Sequence, residues 1–288
     1  AARSRLRTLD GRFQEHFAQL TTRPRDLHVT TGHRERSASA TDGDPAPMRV
    51  TELVAALQRS NIQRRELGIA QGLASGVPED ARAVAVIGPR EPFLAEESRS
   101  LLDYVEGGGR LLVFVDPDAD HQLGPLLAGL GLELREGVLH SDGSYVRRTR
   151  TEADRQVVYS NHYTAHPTVT LANRYRARVA SIFDGAGALQ RLEGAAQLGG
   201  VEVTFPIRTE GGFWLDRDGD HARGDGEPTE PRFHLMAAVT VPGEDAQEGR
   251  AVVVADGDFI TDAWIGNQGN AFVLMDALNW LVGEDEVF

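Results

Sequence analysis

The 288-residue chain contains no cysteine, and its 30 basic residues are all arginine, so lysine is absent too. Without cysteine there is no disulfide framework, no thiolate metal site and no cysteine nucleophile. Without lysine there is no Schiff-base chemistry and no P-loop lysine. We read the all-arginine basic set as genomic base composition. No apolar run reaches the ~18 residues that a membrane-spanning helix requires, and no signal peptide is recognisable. Positive charge is outnumbered: 43 acidic residues give a net charge of −13, which argues against nucleic-acid binding. The basic part is local. Residues 1–36 hold arginines at 3, 5, 7, 12, 23, 25, 34 and 36 against acids at 10, 15, 26 and 35. Such an arm reads as a solvated tether, with contact to anionic lipid as the alternative.

The most informative stretch is 84–118. Val84–Ile87 is a short apolar run closed by Gly88-Pro89. Leu94, Ser98, Leu101, Leu102 and Val105 then fall on one helical face. Gly107-Gly108-Gly109 stops that helix, and Leu111–Val115 is apolar throughout. An apolar run without alternation marks a strand buried on both faces. Two such strands joined by an amphipathic helix predict a parallel pair in an open α/β sheet, where ligands sit beyond the carboxyl ends of the strands.

Elsewhere the pattern predicts a helix within 1–25 followed by a linker, then strands over 26–30 and 62–69. Helices are predicted over 49–59 and near 122–130. Residues 37–47 read as a loop. His166-Pro167 opens a short helix or turn. Strands are predicted at 156–160, 179–183, 201–207, 233–241 and 251–255, and a closing helix over 270–282 stopped by Gly283. The expected fold is therefore α/β, an open mostly parallel sheet flanked by helices. Residues 26–288 form a single domain with a β-rich insertion at about 135–245.

A series of short motifs then stands out in order. Thr31-Gly32-His33-Arg34-Glu35 follows the first strand, and Val86-Ile87-Gly88-Pro89 precedes the helix. Gly108-Gly109-Arg110-Leu111-Leu112, Asp116-Pro117, His166-Pro167 and Arg208-Thr209…Trp214 come next. The series closes with Asp256-Gly257-Asp258-Phe259, Gly269-Asn270 and Asn279-Trp280-Leu281-Val282-Gly283-Glu284-Asp285. It resembles GldG-type proteins, the gliding-motility-associated auxiliary components of ABC transporters, whose soluble domain is related to one in intraflagellar transport proteins. The resemblance covers about residues 26–285. It departs at Arg34, where members of the family often carry glycine. It implies a flavodoxin-like fold of the class I glutamine amidotransferase type. It also implies a place on the extracytoplasmic (periplasmic) face of the inner membrane, held by transmembrane segments that this chain lacks. The implied role is non-catalytic, with ABC-transporter permease and ATPase subunits or envelope machinery as partners.

The amidotransferase comparison places Asp118 where the nucleophilic cysteine would stand and Asp120 where a glycine would. A carboxylate cannot replace the thiolate in acyl transfer from an amide. Asp116, Asp118, Asp120 and His121 offer a metal set or, more plainly, an acidic helix-capping turn. Asp216, Asp218, Asp220 and Glu227 match positions 1, 3, 5 and 12 of a calcium loop, but His221 stands where that loop needs glycine, and a surface loop is the plainer reading. His33 and Glu35 form either an acid–base pair or a hydrogen-bonded turn. His162 and His166 are interrupted by Pro167 and form no zinc helix. Ser144 and Ser160 lack the Gly-x-Ser-x-Gly elbow. Gly185 and Gly187 complete no dinucleotide fingerprint. No cofactor is expected. Trp264, in a glycine-flanked loop, is either a partner contact or a lid packed on the core.

The leading expectation is thus a non-enzymatic binding domain whose strand-end edge is lined by Thr31, His33, Glu35, Pro89, Arg90, Asp116, Asp118, Asp256, Asp258 and Trp264. The alternatives are a carbohydrate- or ester-directed hydrolase using carboxylates such as Asp116 and Asp258, and a structural homodimerisation module.

Overall fold

A computed structural model describes residues 25–37, 48–59, 62–194, 199–243 and 247–282. The helix expected within 1–25, most of the 37–47 loop and the Gly283 stop lie outside the described residues. In chain order the strands are β1 (Arg25–Thr30), β2 (Ile62–Leu67), β3 (Ala83–Ile87), β4 (Arg110–Phe114), β5 (Leu132–Leu134), β6 (Val138–Ser141), β7 (Val157–Ser160) and β8 (His162–Tyr163). They continue with β9 (Ser181–Asp184), β10 (Leu189–Arg191), β11 (Glu202–Arg208), β12 (Phe213–Asp216), β13 (Thr229–Glu230), β14 (His234–Val241) and β15 (Gly249–Val254). The helices are α1 (Thr51–Arg59), α2 (Ala95–Glu106), α3 (Gly124–Gly129), α4 (Thr170–Arg174) and α5 (Gln268–Val282).

The central strands run β2-β1-β3-β4-β15, all parallel. Renumbered along the sheet this is the order 2-1-3-4-5, which reverses direction between β1 and β3. As expected, the parallel core is built from both ends of the sequence. The β-rich segment does not stand apart from it. β14 pairs antiparallel with β15, β10 with β14 and β5 with β10, while β11 and β8 branch from β14. Smaller sheets, β13-β12-β6 and β7-β9, lie beyond it.

The unbroken apolar runs are explained by two cores, one on each face. Ala83, Ala85 and Ile87 of β3 point into one core, with Leu112, Phe114, Val252 and Val254 of β4 and β15. Val84, Val86, Leu111, Val113, Ala251 and Val253 point into the other. The first core is covered by α1 through Leu53 and Leu57 and by α5 through Val273, Ala277 and Leu281. The second is covered by α2 through Leu101 and Val105 and by α3 through Leu126 and Leu127. A period of two in the strands and 3.6 in the helices therefore meets on both sides of a single sheet. Leu94, expected on the buried face of α2, is exposed because it sits before the first turn, not within the helix.

Two motifs acquire a packing role. Asn270, fully buried, accepts from the Ile182 amide and donates to the Ile182 and Phe259 carbonyls. A Cβ on Gly269 would lie 2.2 Å from the Ala180 carbonyl oxygen. Gly269-Asn270 thus docks α5 against β9. Trp280 packs against the first core, with the Arg250 guanidinium 5.3 Å from its ring and His166 edge-on to it.

Candidate functional site

At the carboxyl ends of β1, β3, β4 and β15 the chain builds two adjoining polar clusters. The first is centred on His33. Its Nδ1 lies 3.3 Å from Glu35 Oε1 and its Nε2 3.0 Å from Glu97 Oε2. The His33 ring stacks on Phe93 at 3.9 Å between centroids, and its carbonyl accepts from the Arg90 and Glu91 amides. Glu97 stands at the third position of α2, where its carboxylate also accepts from the Leu94 amide, one of the unpaired donors at a helix start. All three side chains are buried. His33 is therefore the tie between the β1 and β3 loops and α2, and the hydrogen-bonded turn is the arrangement found. Arg34 adopts φ +53°, the left-handed region that glycine occupies without cost. That is a physical reason for the glycine that the resembled family places there.

The second cluster is centred on Arg36, whose side chain is buried although the arm that contains it reads as solvated. Its Nε and one terminal nitrogen donate to Asp258 Oδ1 at 3.0 and 2.7 Å. The other donates to the Gly88 carbonyl at 2.7 Å and lies 2.5 Å from Asp116 Oδ2. The backbone makes room for it. A Cβ on Gly88 would lie 2.3 Å, and one on Gly257 2.7 Å, from the same guanidinium nitrogen. Burial pushes the Arg36 guanidinium down, but Asp116 and Asp258 outweigh it and hold the group above its ordinary value. The expectation of a solvated arm fails at Arg36 because the chain turns back over the sheet edge there, with the Arg36 amide bonded to the Ile87 carbonyl.

The acids around it are unequal. Asp116 accepts from the Gly257 amide at 2.7 Å. Asp256, fully buried, accepts from the Asp258 and Asp184 amides at 2.7 and 2.9 Å. Burial, with Asp258 and Asp116 nearby, holds the Asp256 carboxyl well above the usual carboxylate range. Burial raises Asp258 to about 6 against the opposing pull of Arg36. Asp184 extends the cluster outward: its Oδ2 accepts from Trp264 Nε1 at 3.2 Å and from Arg148 at 3.0 Å. Arg148 also lies over the Trp264 ring. Trp264 is nearly buried, so the lid arrangement is the one the structure holds.

Of the residues expected at this edge, His33, Glu35, Asp116, Asp256 and Asp258 come together in these clusters. Pro89 is buried beside Gly88. Arg90 is exposed, 3.8 Å from Asp116 and 3.9 Å from Asp118. Thr31 sits on the β2 side, its amide bonded to the Leu67 carbonyl. Asp118 and Asp120 are exposed. His121 Nδ1 accepts from the Leu123 amide, and these side chains do not converge as a metal set among the described residues. The expected nucleophile-elbow alignment also fails. β4 ends at Phe114 and α3 starts at Gly124, so no tight strand-to-helix turn presents Asp118, and the left-handed residue there is Gln122. Arg36, Glu97 and Asp184 are central here and were not singled out from the sequence. Glu97 was legible as a third-position acid in a first helical turn.

The carboxylates of the acidic loop act mainly on their own backbone. Asp216 Oδ1 accepts from the Asp218 and Gly219 amides and Oδ2 from the His221 amide. Glu227 accepts from the Arg217 and Gly224 amides. Asp216, Asp218 and Glu227 converge, but Asp220 does not join them. The expectation of a plain surface loop is corrected at Asp216, which is buried because it organises the turn. Two cavities lie along this part of the molecule. One of about 580 Å³ is lined by Ser141, Ser144, Glu210, Phe213 and Trp214 among others. One of about 350 Å³ is lined by Pro117, Asp118, His140, Gln156, Asp216 and His221 among others.

Comparison with solved structures finds the "mmIFT52 N-terminal domain" at TM-score 0.64 and 15% identity, covering 91% of this chain and 100% of that one. At that identity the likeness shows the fold. A putative ThuA-like protein from Parabacteroides merdae ATCC 43184 aligns at TM-score 0.45 and 14% identity over 91% of each chain. The exo-β-1,4-mannosidase Op5Man5 from Opitutaceae bacterium strain TAV5 aligns at TM-score 0.41 and 12% identity, over 89% of this chain and 36% of that one. No curated protein matches the sequence. The family model described as Domain of unknown function (DUF4350) matches residues 55–278, and the chain belongs to that family.

Proposed function

We propose that the chain is a non-catalytic binding or scaffold domain, of the kind the GldG-type resemblance implies, working beside an ABC transporter on the extracytoplasmic side of a membrane. The observation that carries the non-catalytic reading is the position of Arg36. In a sheet of this order a ligand would sit at the reversal between β1 and β3. Arg36 sets the chain's own cation beside that place, over the carboxyl ends of β3, β4 and β15, where Gly88, Asp116 and Asp258 hold it. Both carboxylates that a hydrolase would use are thereby engaged on one guanidinium. His33, an imidazole of this edge with two carboxylate partners, is enclosed by Glu35, Glu97 and Phe93.

Binding then falls to the rim and to the β-rich side. Arg90, Asp118 and Arg148 are exposed at the rim, and the cavities beside β6 and β12 are open to a partner segment. No helix among the described residues is long and apolar enough to cross a membrane. The test is capture of the purified chain by its candidate permease and ATPase subunits. Binding that survives Asp258→Asn but is lost on charge reversal of Arg90 and Arg148 supports the reading. Turnover of a glycoside or ester that disappears in Asp116→Asn or Asp258→Asn defeats it.

A further inference from the structure

The β-rich segment brings together three electron-pair donors that the strand-end clusters do not use. His140, on β6, is buried. Its Nδ1 lies 3.0 Å from the Val138 carbonyl oxygen. A carbonyl can only accept, so Nδ1 carries the proton, and in the neutral ring Nε2 presents a lone pair. Burial, above all, holds the His140 imidazolium below its ordinary pKa, so the neutral ring is favoured. Nε2 accepts from His221 Nδ1, 2.9 Å away, a proton that shifts to the Nε2 of the His221 ring when Nδ1 ligates, and lies 3.4 Å from Asp216 Oδ2. His221 Nδ1 and Asp216 Oδ2 are 4.0 Å apart.

We propose that His140 Nε2, His221 Nδ1 and Asp216 Oδ2 form a binding site for a divalent transition-metal ion, with zinc as the best match. Metal–ligand bonds of about 2.0–2.2 Å at tetrahedral angles put neighbouring ligand atoms about 3.3–3.6 Å apart. The three separations, 2.9, 3.4 and 4.0 Å, bracket that value. The ligand chemistry, two imidazoles and one carboxylate, suits zinc and its neighbours more than calcium or magnesium.

The surroundings carry the features that hold metal ligands in place. The Val138 carbonyl fixes the His140 tautomer as an outer-shell acceptor does. Trp214 packs beside the same ring. His221 is held at φ +60° by the turn that Asp216 organises and by Arg155, which donates to its carbonyl at 2.7 Å. Three protein ligands leave a further coordination position, and the cavity of about 350 Å³ is lined by the same three residues. The alternative group of Asp216, Asp218 and Glu227 offers oxygen alone, a set suited to calcium or magnesium and not to zinc.

The experiment uses the full chain stripped with chelator. Zinc chloride is titrated calorimetrically, and cobalt(II) is added separately to read the visible bands of a four-coordinate nitrogen/oxygen site. One equivalent of zinc, cobalt bands displaced by zinc, and at least about a tenfold loss of zinc affinity in both His221→Ala and His140→Gln are expected. His221 is partly exposed, so its variant reports on the site even where the His140 change impairs folding. No heat with zinc and no cobalt bands would overturn the proposal. So would unchanged zinc affinity in a folded His221→Ala chain, which would place the ion elsewhere. Calcium binding at one equivalent that blocks zinc would overturn it in favour of the oxygen group.

Discussion

The two polar centres of this molecule are built from similar residues and end in opposite states. At the strand ends, Asp116 and Asp258 hold a cation that the chain itself provides, Arg36. In the β-rich segment, His140, Asp216 and His221 converge with the two imidazoles sharing one hydrogen bond. The first centre lies between β1 and β15, where two ends of the chain must be held together. The second lies between β6, the end of β12 and a loop that its own amide hydrogen bonds already hold. A buried acidic cluster therefore says little by itself about function. What matters is whether the fold completes its charge.

The largest effect expected from breaking this contrast is at Arg36. Arg36→Met removes the cation and leaves Asp116 and Asp258 without it. A loss of about 3–5 kcal/mol is expected, as for breaking one partner out of a buried ion pair. A urea midpoint close to that of the parent chain would show that the cluster relaxes without the arginine. The strand-end centre should also set a pH dependence. Asp258 is raised to about 6 from 3.8, and Asp276, buried on α5, is raised to about 6 as well. Between these values the folded chain binds more protons than the unfolded one, so stability from these groups falls as pH rises from about 4 to about 6 and is level above. Each contributes at most about 3 kcal/mol. Asp154, lowered to about 2, acts in the opposite sense and loses stability only as pH falls below about 4. Thermal melts from pH 3 to 8 would read this as a maximum near pH 4, with part of the fall removed in Asp258→Asn. A maximum near neutral pH would contradict it.

Smaller changes sharpen the contrast. Arg34→Gly relieves a left-handed residue in the loop that carries His33 and should stabilise the chain by about 1 kcal/mol. The exposed pair it removes, Arg34 with Glu91 at 3.8 Å, contributes little. A lowered melting temperature would mean that the loop depends on that pair. The smallest effect is expected at His221. In chelator, His221→Ala should cost less than about 1 kcal/mol, since the ring is partly exposed and water can serve its neighbour. A cost like that of Arg36→Met would make the second centre as structural as the first.

Much of the fold was legible in the chain. The apolar runs at 84–87, 111–115 and 251–255 are buried strands because residues on both of their faces enter a core. Leu101, Leu102 and Val105 mark the buried side of α2. The short strands β5, β6, β10, β12 and β13 were not singled out, since two to four residues give too few alternations to register a period. The strand-end acids and His33 were legible because they follow strands directly. Arg36 was hidden among other arginines of its arm, while Glu97 was legible only as a third-position acid of a helix start, with no sign that it meets His33.

The sequence by itself determined the class of the fold, the location of its parallel core at both ends of the chain and the exclusion of thiol chemistry. Those follow from periodicity and composition, which act over a few residues or over the whole chain at once. Tertiary structure alone decided that the β-rich segment extends the central sheet, that Arg36 meets Asp258 222 positions away, and that His140 meets His221 across 81. Such pairings depend on strand order and on which loops share an edge, and a linear pattern carries no signal for either.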